Sequence, residues 1–147
     1  MIKNPSKLLE NYSIEEQVVG TWIDGKPIYR QVIVTTAPTV VTNGTYVFSN
    51  IPLGCSVDYV FPATGAILQS STQVYPIPYI SNSGEGQVKT YIDKSINSIR
   101  FGTNLTGFNG CQATLFAEYT KTTDVATIAI PSATAMAASY DEGVNEA

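Results

Sequence analysis

Histidine is missing from this 147-residue chain. With it go the most frequent general base, the Ser-His-Asp and Cys-His arrangements, and the commonest metal ligand. Only two cysteines are present, Cys55 and Cys111, far apart and outside any CxxC pattern. Such cysteines read as buried apolar thiols, not as a disulfide or a metal pair. Charge is scarce: 14% of residues are Asp, Glu, Lys or Arg, against about 25% in ordinary soluble domains. A surface so poor in charge is expected to be partly covered by a partner. The net charge is −4, and the eight basic residues are scattered singly, so no basic stripe exists to neutralise the phosphates of a nucleic acid. No apolar run reaches 18 residues, and Leu8 and Leu9 are the only hydrophobic pair of MIKNPSKLLENYS, so neither a membrane span nor a secretory core is expected. These features predict a soluble chain made in a cytoplasm, with no nucleic-acid or membrane partner, no cofactor and no metal.

What is present reads as β structure. The length suits one domain, which at about 150 residues removes roughly 68–70% of its unfolded surface from water. The run EQVVGTW, Glu16 to Trp22, is β-branched and aromatic; Asp24-Gly25 follows as a turn dipeptide, and PIYRQVIVT, Pro27 to Thr35, resumes the pattern. This is a hairpin. In its second arm Ile28, Arg30, Val32 and Val34 form a nearly apolar face, while Tyr29, Gln31, Ile33 and Thr35 form a mixed one, as in a half-buried strand. Further strands are expected at Thr45–Phe48, Ser56–Phe61, Ala66–Gln69, Gln73–Ile80, Gln87–Ile92, Ser98–Phe101 and Gln112–Tyr119. Gly, Pro, Asn and Ser clusters separate them. The rhythm predicts an all-β fold, an antiparallel sandwich of jelly-roll type. Pro76 and Pro78 turn their missing N–H groups to one side, which suits an edge strand.

Both ends differ from this middle. Residues 1–15 form an N-terminal arm with a short helical possibility at Pro5–Asn11, and Ser13 with Glu16 has capping-box spacing ahead of a β-like run. Residues 16–124 form the sandwich module. Residues 125–147 are rich in Ala and small side chains and cannot build a core of their own. We expect this tail to anchor on a neighbouring chain, with Val125, Thr127 and Ala129 alternating against Ala126, Ile128 and Ile130 as an added strand.

Chemistry has few candidates. Glu15 and Glu16 are adjacent, so on a strand they face opposite sides, and no pattern brings two other carboxylates to the spacing of a glycosidase. Carboxylate glycoside hydrolysis is therefore the weakest reading. Asp24 belongs to a turn more readily than to a calcium site, because single carboxylates do not fill six or more oxygen positions. Trp22, the only tryptophan, either stacks on a sugar ring or packs over the core. Tyr59, Tyr75, Tyr79 and Tyr91 form either a glycan or protein contact patch or ordinary strand tyrosines with wet hydroxyls.

The stretch YSIEEQVVGTWIDGKPIYR, Tyr12 to Arg30, resembles the signature YSTDEQVVGTWIDGKPLYRK of small β-structured modules in bacteriophage virion proteins. These are tail-fibre, head-fibre and related structural proteins of phages of Gram-positive and gut bacteria. Ile14 and Glu15 stand where Thr and Asp are usual. Downstream, LFAEYTKTTD at Leu115–Asp124 is similar to the closing strand of the family, and VKTYIDKSINSIRFG to the strand, turn and strand before it. The resemblance implies a structural role in the virion with no catalytic residue, a homo-oligomer that is commonly a trimer, and other virion proteins as partners. A host-surface glycan is the alternative partner, taken by a receptor-recognition module through Trp22, Tyr59, Tyr75 and Tyr79. Starting at Met1 without a long shaft, the chain is expected to be a standalone head-fibre, capsid-decoration or fibre subunit held by its termini.

Overall fold

The computed structural model describes residues 12–61 and 63–130. The expected helix at Pro5–Asn11 and the tail beyond residue 130 lie outside them. Among the described residues ten strands make two antiparallel sheets that pack as a sandwich, with one 3-10 turn at Thr106–Phe108. The first sheet holds β1 (Gln17–Thr21), β2 (Pro27–Thr36), β4 (Val57–Val60), β5 (Thr64–Leu68), β6 (Val74–Ile77) and β10 (Gln112–Lys121). The second holds β3 (Val47–Pro52), β7 (Tyr79–Ile80), β8 (Gln87–Asp93) and β9 (Ser98–Thr103), in the order β3-β9-β8-β7.

The long strand β10 organises the first sheet. On one side it pairs with β2 from Gln112↔Thr36 to Tyr119↔Tyr29. On the other it carries β5 along its first half and β4 along its second. Its alternation is strict: Ala113, Leu115, Ala117 and Tyr119 are buried, and the side chains between them face outward. Across the sandwich Val88, Ile99 and Phe101 meet them, and these residues belong to one buried cluster with Leu53, Val57, Ile67 and Phe108.

Register reverses the expected face of β2. Because Leu115 and Ala117 are inward, their partners Ile33 and Gln31 are inward too. The mixed face therefore meets the core. Its one amide is satisfied there, since Gln31 Nε2 donates to Tyr119 Oη at 3.0 Å and to the Leu53 carbonyl at 3.3 Å. The nearly apolar face lies on the other side and is covered in part: Val32 is buried and Tyr12 lies edge-on to Phe116 at 5.5 Å, while Val34 stays 51% exposed.

Three boundaries shift for identifiable reasons. Strand β3 starts later than expected and runs through Asn50 to Pro52, a proline that an edge strand tolerates. Strands β5 and β9 run through Gly65 and Gly102, read in the sequence as turn residues. Here they are sites of close approach: a Cβ at Gly65 would strike the Thr114 carbonyl, and one at Gly102 the Phe48 ring. The run Gln73–Ile80 is two strands in different sheets, joined at the cis Ile77–Pro78 bond. β6 is an edge, as the prolines imply. At Ser13 and Glu16 there is no helix cap; Ser13 Oγ accepts from the Glu15 N–H, and β1 follows.

Candidate functional site

Two places gather chemistry-bearing side chains. The first is where the hairpin β1–β2 meets the end of β10. Its turn is held by the Gly25 N–H donating to the Trp22 carbonyl, the Trp22 N–H donating to Lys26 O, and Asp24 Oδ1 accepting from the Lys26 N–H at 2.9 Å. Gly25 has φ +90°, a conformation that Asp-Gly turns supply at little cost. Around the turn, each charge has a partner. Lys26 Nζ bridges Asp58 Oδ2 at 2.7 Å and the Lys121 carbonyl at 3.2 Å. Arg30 meets Glu118 at 2.8 Å, Tyr29 Oη donates to Asp124 Oδ2 at 2.7 Å, and Glu16 accepts from Lys121 Nζ and Tyr119 Oη.

Titration follows from these contacts. The Lys26 ammonium holds the Asp58 carboxyl below the usual range, and Glu16 raises the Lys121 amine. Burial, then the bond to Glu16, pushes the Tyr119 phenol far up; the bond to Asp124 raises Tyr29. Burial likewise raises the Cys55 thiol. Cys55 and Cys111 are both free and half-buried against the core. Asp24 closes the turn, and the other carboxylates that meet here, Glu16, Asp58, Glu118 and Asp124, each bond a side chain of another segment, which makes the cluster a clasp.

The tail begins here. The N–H groups of Thr127 and Ile128 both donate to the Asp24 carbonyl, at 2.8 and 2.9 Å, and Thr127 Oγ1 sits where a Cβ on Gly25 would project. The first residues of the expected anchor thus rest on the turn of their own chain. They form no strand, and Val125, Ile128 and Ile130 remain exposed.

The second place is an open groove of about 450 Å³ between β4 and β8, where the two sheets part. Asp58, Tyr59 and Phe61 border it on the β4 side and Thr90, Tyr91 and Lys94 on the β8 side. Trp22 is not a core residue. It stacks on Tyr59 at 4.3 Å with 22° between planes and meets Phe61 edge-on at 5.0 Å. The other two tyrosines lie elsewhere: Tyr75 and Tyr79 pack edge-on to each other and to buried Phe108. The structure therefore joins Trp22 with Tyr59 and separates Tyr75 and Tyr79 from them. Tyr91 is braced by Arg100, whose Nη1 donates to its hydroxyl at 2.9 Å, and by the Phe48 ring edge-on at 5.8 Å.

A third hollow, of about 300 Å³, has walls of Asn43, Ser81, Ser83 and Asn104. Its polar atoms are spent on the loops themselves: Asn104 bridges the Gln87 N–H and the Glu85 carbonyl, and Ser81 Oγ accepts from the Gly86 N–H. Among the described residues no group of three His, Cys, Asp or Glu could hold a metal, and no helix is long and apolar enough to cross a membrane. No protein-family model, curated protein or solved structure matches the chain.

Proposed function

We propose that this chain is a structural, non-catalytic subunit of a bacteriophage particle, a head-fibre, capsid-decoration or fibre protein that works as a homo-oligomer, a trimer, attached to other virion proteins through its termini. One observation carries the reading. The two stretches that resemble virion modules, Tyr12–Arg30 and Leu115–Asp124, lie apart in the sequence yet pair along β2 and β10 and share the clasp of Glu16, Lys26, Tyr29, Arg30, Glu118, Lys121 and Asp124. The charged and aromatic residues of these stretches hold a strand interface together. A resemblance whose two outer stretches meet in such a clasp supports an architectural role and transfers no reaction.

The outer face of the first sheet supports self-association. Val34, Leu68, Val74 and Pro76 are exposed on it and bring no charge between them. Apolar patches of this kind mark protein contacts, and the low overall charge fits the same reading. Density-gradient purification of particles from a host that produces the chain, followed by peptide mass spectrometry, tests the proposal. The chain is expected to co-purify at a fixed ratio to the major capsid protein. Its absence from intact particles would refute the reading.

A further inference from the structure

We propose that the outer face of the second sheet, around Lys89 and Arg100, receives the acidic stretch 141–146 from the tail of a neighbouring copy of the chain. The inference rests on the homo-oligomer proposed above and names the two surfaces that meet. Strand register builds the face. Val88, Ile99 and Phe101 are buried in the core, so Lys89 and Arg100 point outward, Lys89 opposite Gly102 and Arg100 opposite Tyr91. On the next strand Phe48 lies opposite Gly102, and its ring fills the room that the glycine leaves.

Two cations are fixed there on aromatic rings. Lys89 Nζ lies 4.4 Å from the centre of the Tyr46 ring, and the Arg100 guanidinium 5.1 Å from that of Phe48 and 5.6 Å from that of Tyr91. Stacking restrains both side chains before a partner arrives and leaves the edges of the guanidinium for a carboxylate. Their hydrogen bonding is incomplete. Arg100 Nη1 donates to Tyr91 Oη at 2.9 Å, whereas Nε is buried without an acceptor and Nη2 has none among the described residues. The Tyr91 oxygen accepts that bond and keeps its own proton to donate, and the Lys89 ammonium meets rings alone. Asp93, next along the same row of β8, is engaged by Ser95. Ammonium, guanidinium and phenol thus present donors that call for an anion.

The distribution of charge picks the occupant. Lys26, Arg30 and Lys121 are matched in the clasp, while Lys89, Lys94 and Arg100 are in no ion pair among the described residues, and Lys89 and Arg100 share this face. The carboxylates Glu16, Asp58, Glu118 and Asp124 are used in the clasp and Asp24 in the turn. Residues 131–147 hold Asp141, Glu142 and Glu146 and no base. The two surpluses are complementary, and every copy in an oligomer carries both. Reach allows the contact. The tail leaves the body at the Asp24 turn of the first sheet, and the stretch from Ile130 to Asp141 spans at most about 36–40 Å. A tail given by each copy to the face of the next is a heterologous contact, which closes into a ring such as a trimer.

Carbodiimide, which joins a lysine amine to a carboxylate where the two touch, tests the contact on the intact chain. Unlabelled and nitrogen-15-labelled chains are mixed while dilute, concentrated, cross-linked and digested for mass spectrometry, with light scattering on the same sample. Peptides joining Lys89 to Asp141, Glu142 or Glu146 are expected, in mixed-label pairs as often as in like-label pairs. Charge reversal gives an independent arm. Lys89→Glu in one chain, and Asp141→Lys with Glu142→Lys in another, should each weaken self-association about two- to tenfold. Mixing the two variants should restore it, because the reversed tail of one meets the reversed face of the other. An oligomer with no link from Lys89 to the stretch, links within single chains alone, or a mixture that restores nothing would overturn the inference and leave the particle reading standing. A chain that stays monomeric at every concentration would remove the inference together with the homo-oligomer beneath it.

Discussion

Gly25→Ala places one methyl group in the most constrained spot of the clasp. Gly25 has φ +90°, where a side chain costs about 1–2 kcal/mol. The new Cβ would also run into Thr127 Oγ1, forcing the tail off the turn. That breaks the two bonds from Thr127 and Ile128 to the Asp24 carbonyl, each worth about 0.5–1.5 kcal/mol. The total loss is about 2–5 kcal/mol, and at roughly 2–4 °C per kcal/mol the melting temperature should fall by roughly 4–20 °C. Differential scanning calorimetry on four chains separates the parts: the intact chain and a chain ending at Asp124, each with and without Gly25→Ala. In the shortened chain the tail is already gone, so only the backbone strain of about 1–2 kcal/mol should remain, and the two changes should be non-additive. Equal losses in both backgrounds would show that the tail does not rest on the turn. No loss in either would refute the turn itself.

Other outcomes follow from the same contacts. Gly65→Ala should destabilise by about 1–3 kcal/mol and more than Gly102→Ala, because the first meets the Thr114 backbone and the second a Phe48 ring that can move; urea midpoints of the two variants would decide it. Leu115→Ala, at a fully buried position, should cost about 2–5 kcal/mol by the same assay. Stability should fall at alkaline pH. Lys121 is raised above its ordinary value near 10.5, and Tyr29 and Tyr119 above 10.0, so their contribution is full below those values and is lost as pH rises through the higher folded ones. Asp58 is lowered, so its contribution is present above about 3.8 and is lost as pH falls through its lower folded value. Urea titrations across pH should show both losses, and Glu16→Gln should flatten the alkaline one. Truncation after Asp124 should leave the sandwich folded while weakening self-association or attachment, as measured by light scattering and particle binding; unchanged assembly would make the tail an ordinary terminus.

The parts of the fold legible in the sequence are those fixed by local chemistry. Asp24-Gly25 between two β-rich arms has one economical solution, and the strict alternation from Ala113 to Tyr119 declares a strand with one buried face. What escaped depended on partners distant in the chain. Gly65 and Gly102 read as turn residues because a glycine looks the same whether it frees the backbone or makes room for a neighbour. The apolar face of β2 read as inward because composition does not reveal register, and only pairing with Leu115 and Ala117 turns Gln31 toward Tyr119. Pro76 and Pro78 marked an edge correctly, but not that the chain changes sheet between them. The groove was half legible. Trp22, Tyr59 and Tyr91 were singled out as aromatic residues, whereas the stacking of Trp22 on Tyr59 joins the hairpin to β4 and leaves no spacing to read.

Cryo-electron microscopy of intact particles from a host that produces the chain tests the central claim most directly. The account predicts density into which the two-sheet sandwich fits in a symmetric cluster of copies, a trimer, with the ends of each chain directed at the capsid or tail. Particles in which no such density exists, while the chain is found folded and monomeric in the surrounding lysate, would contradict it.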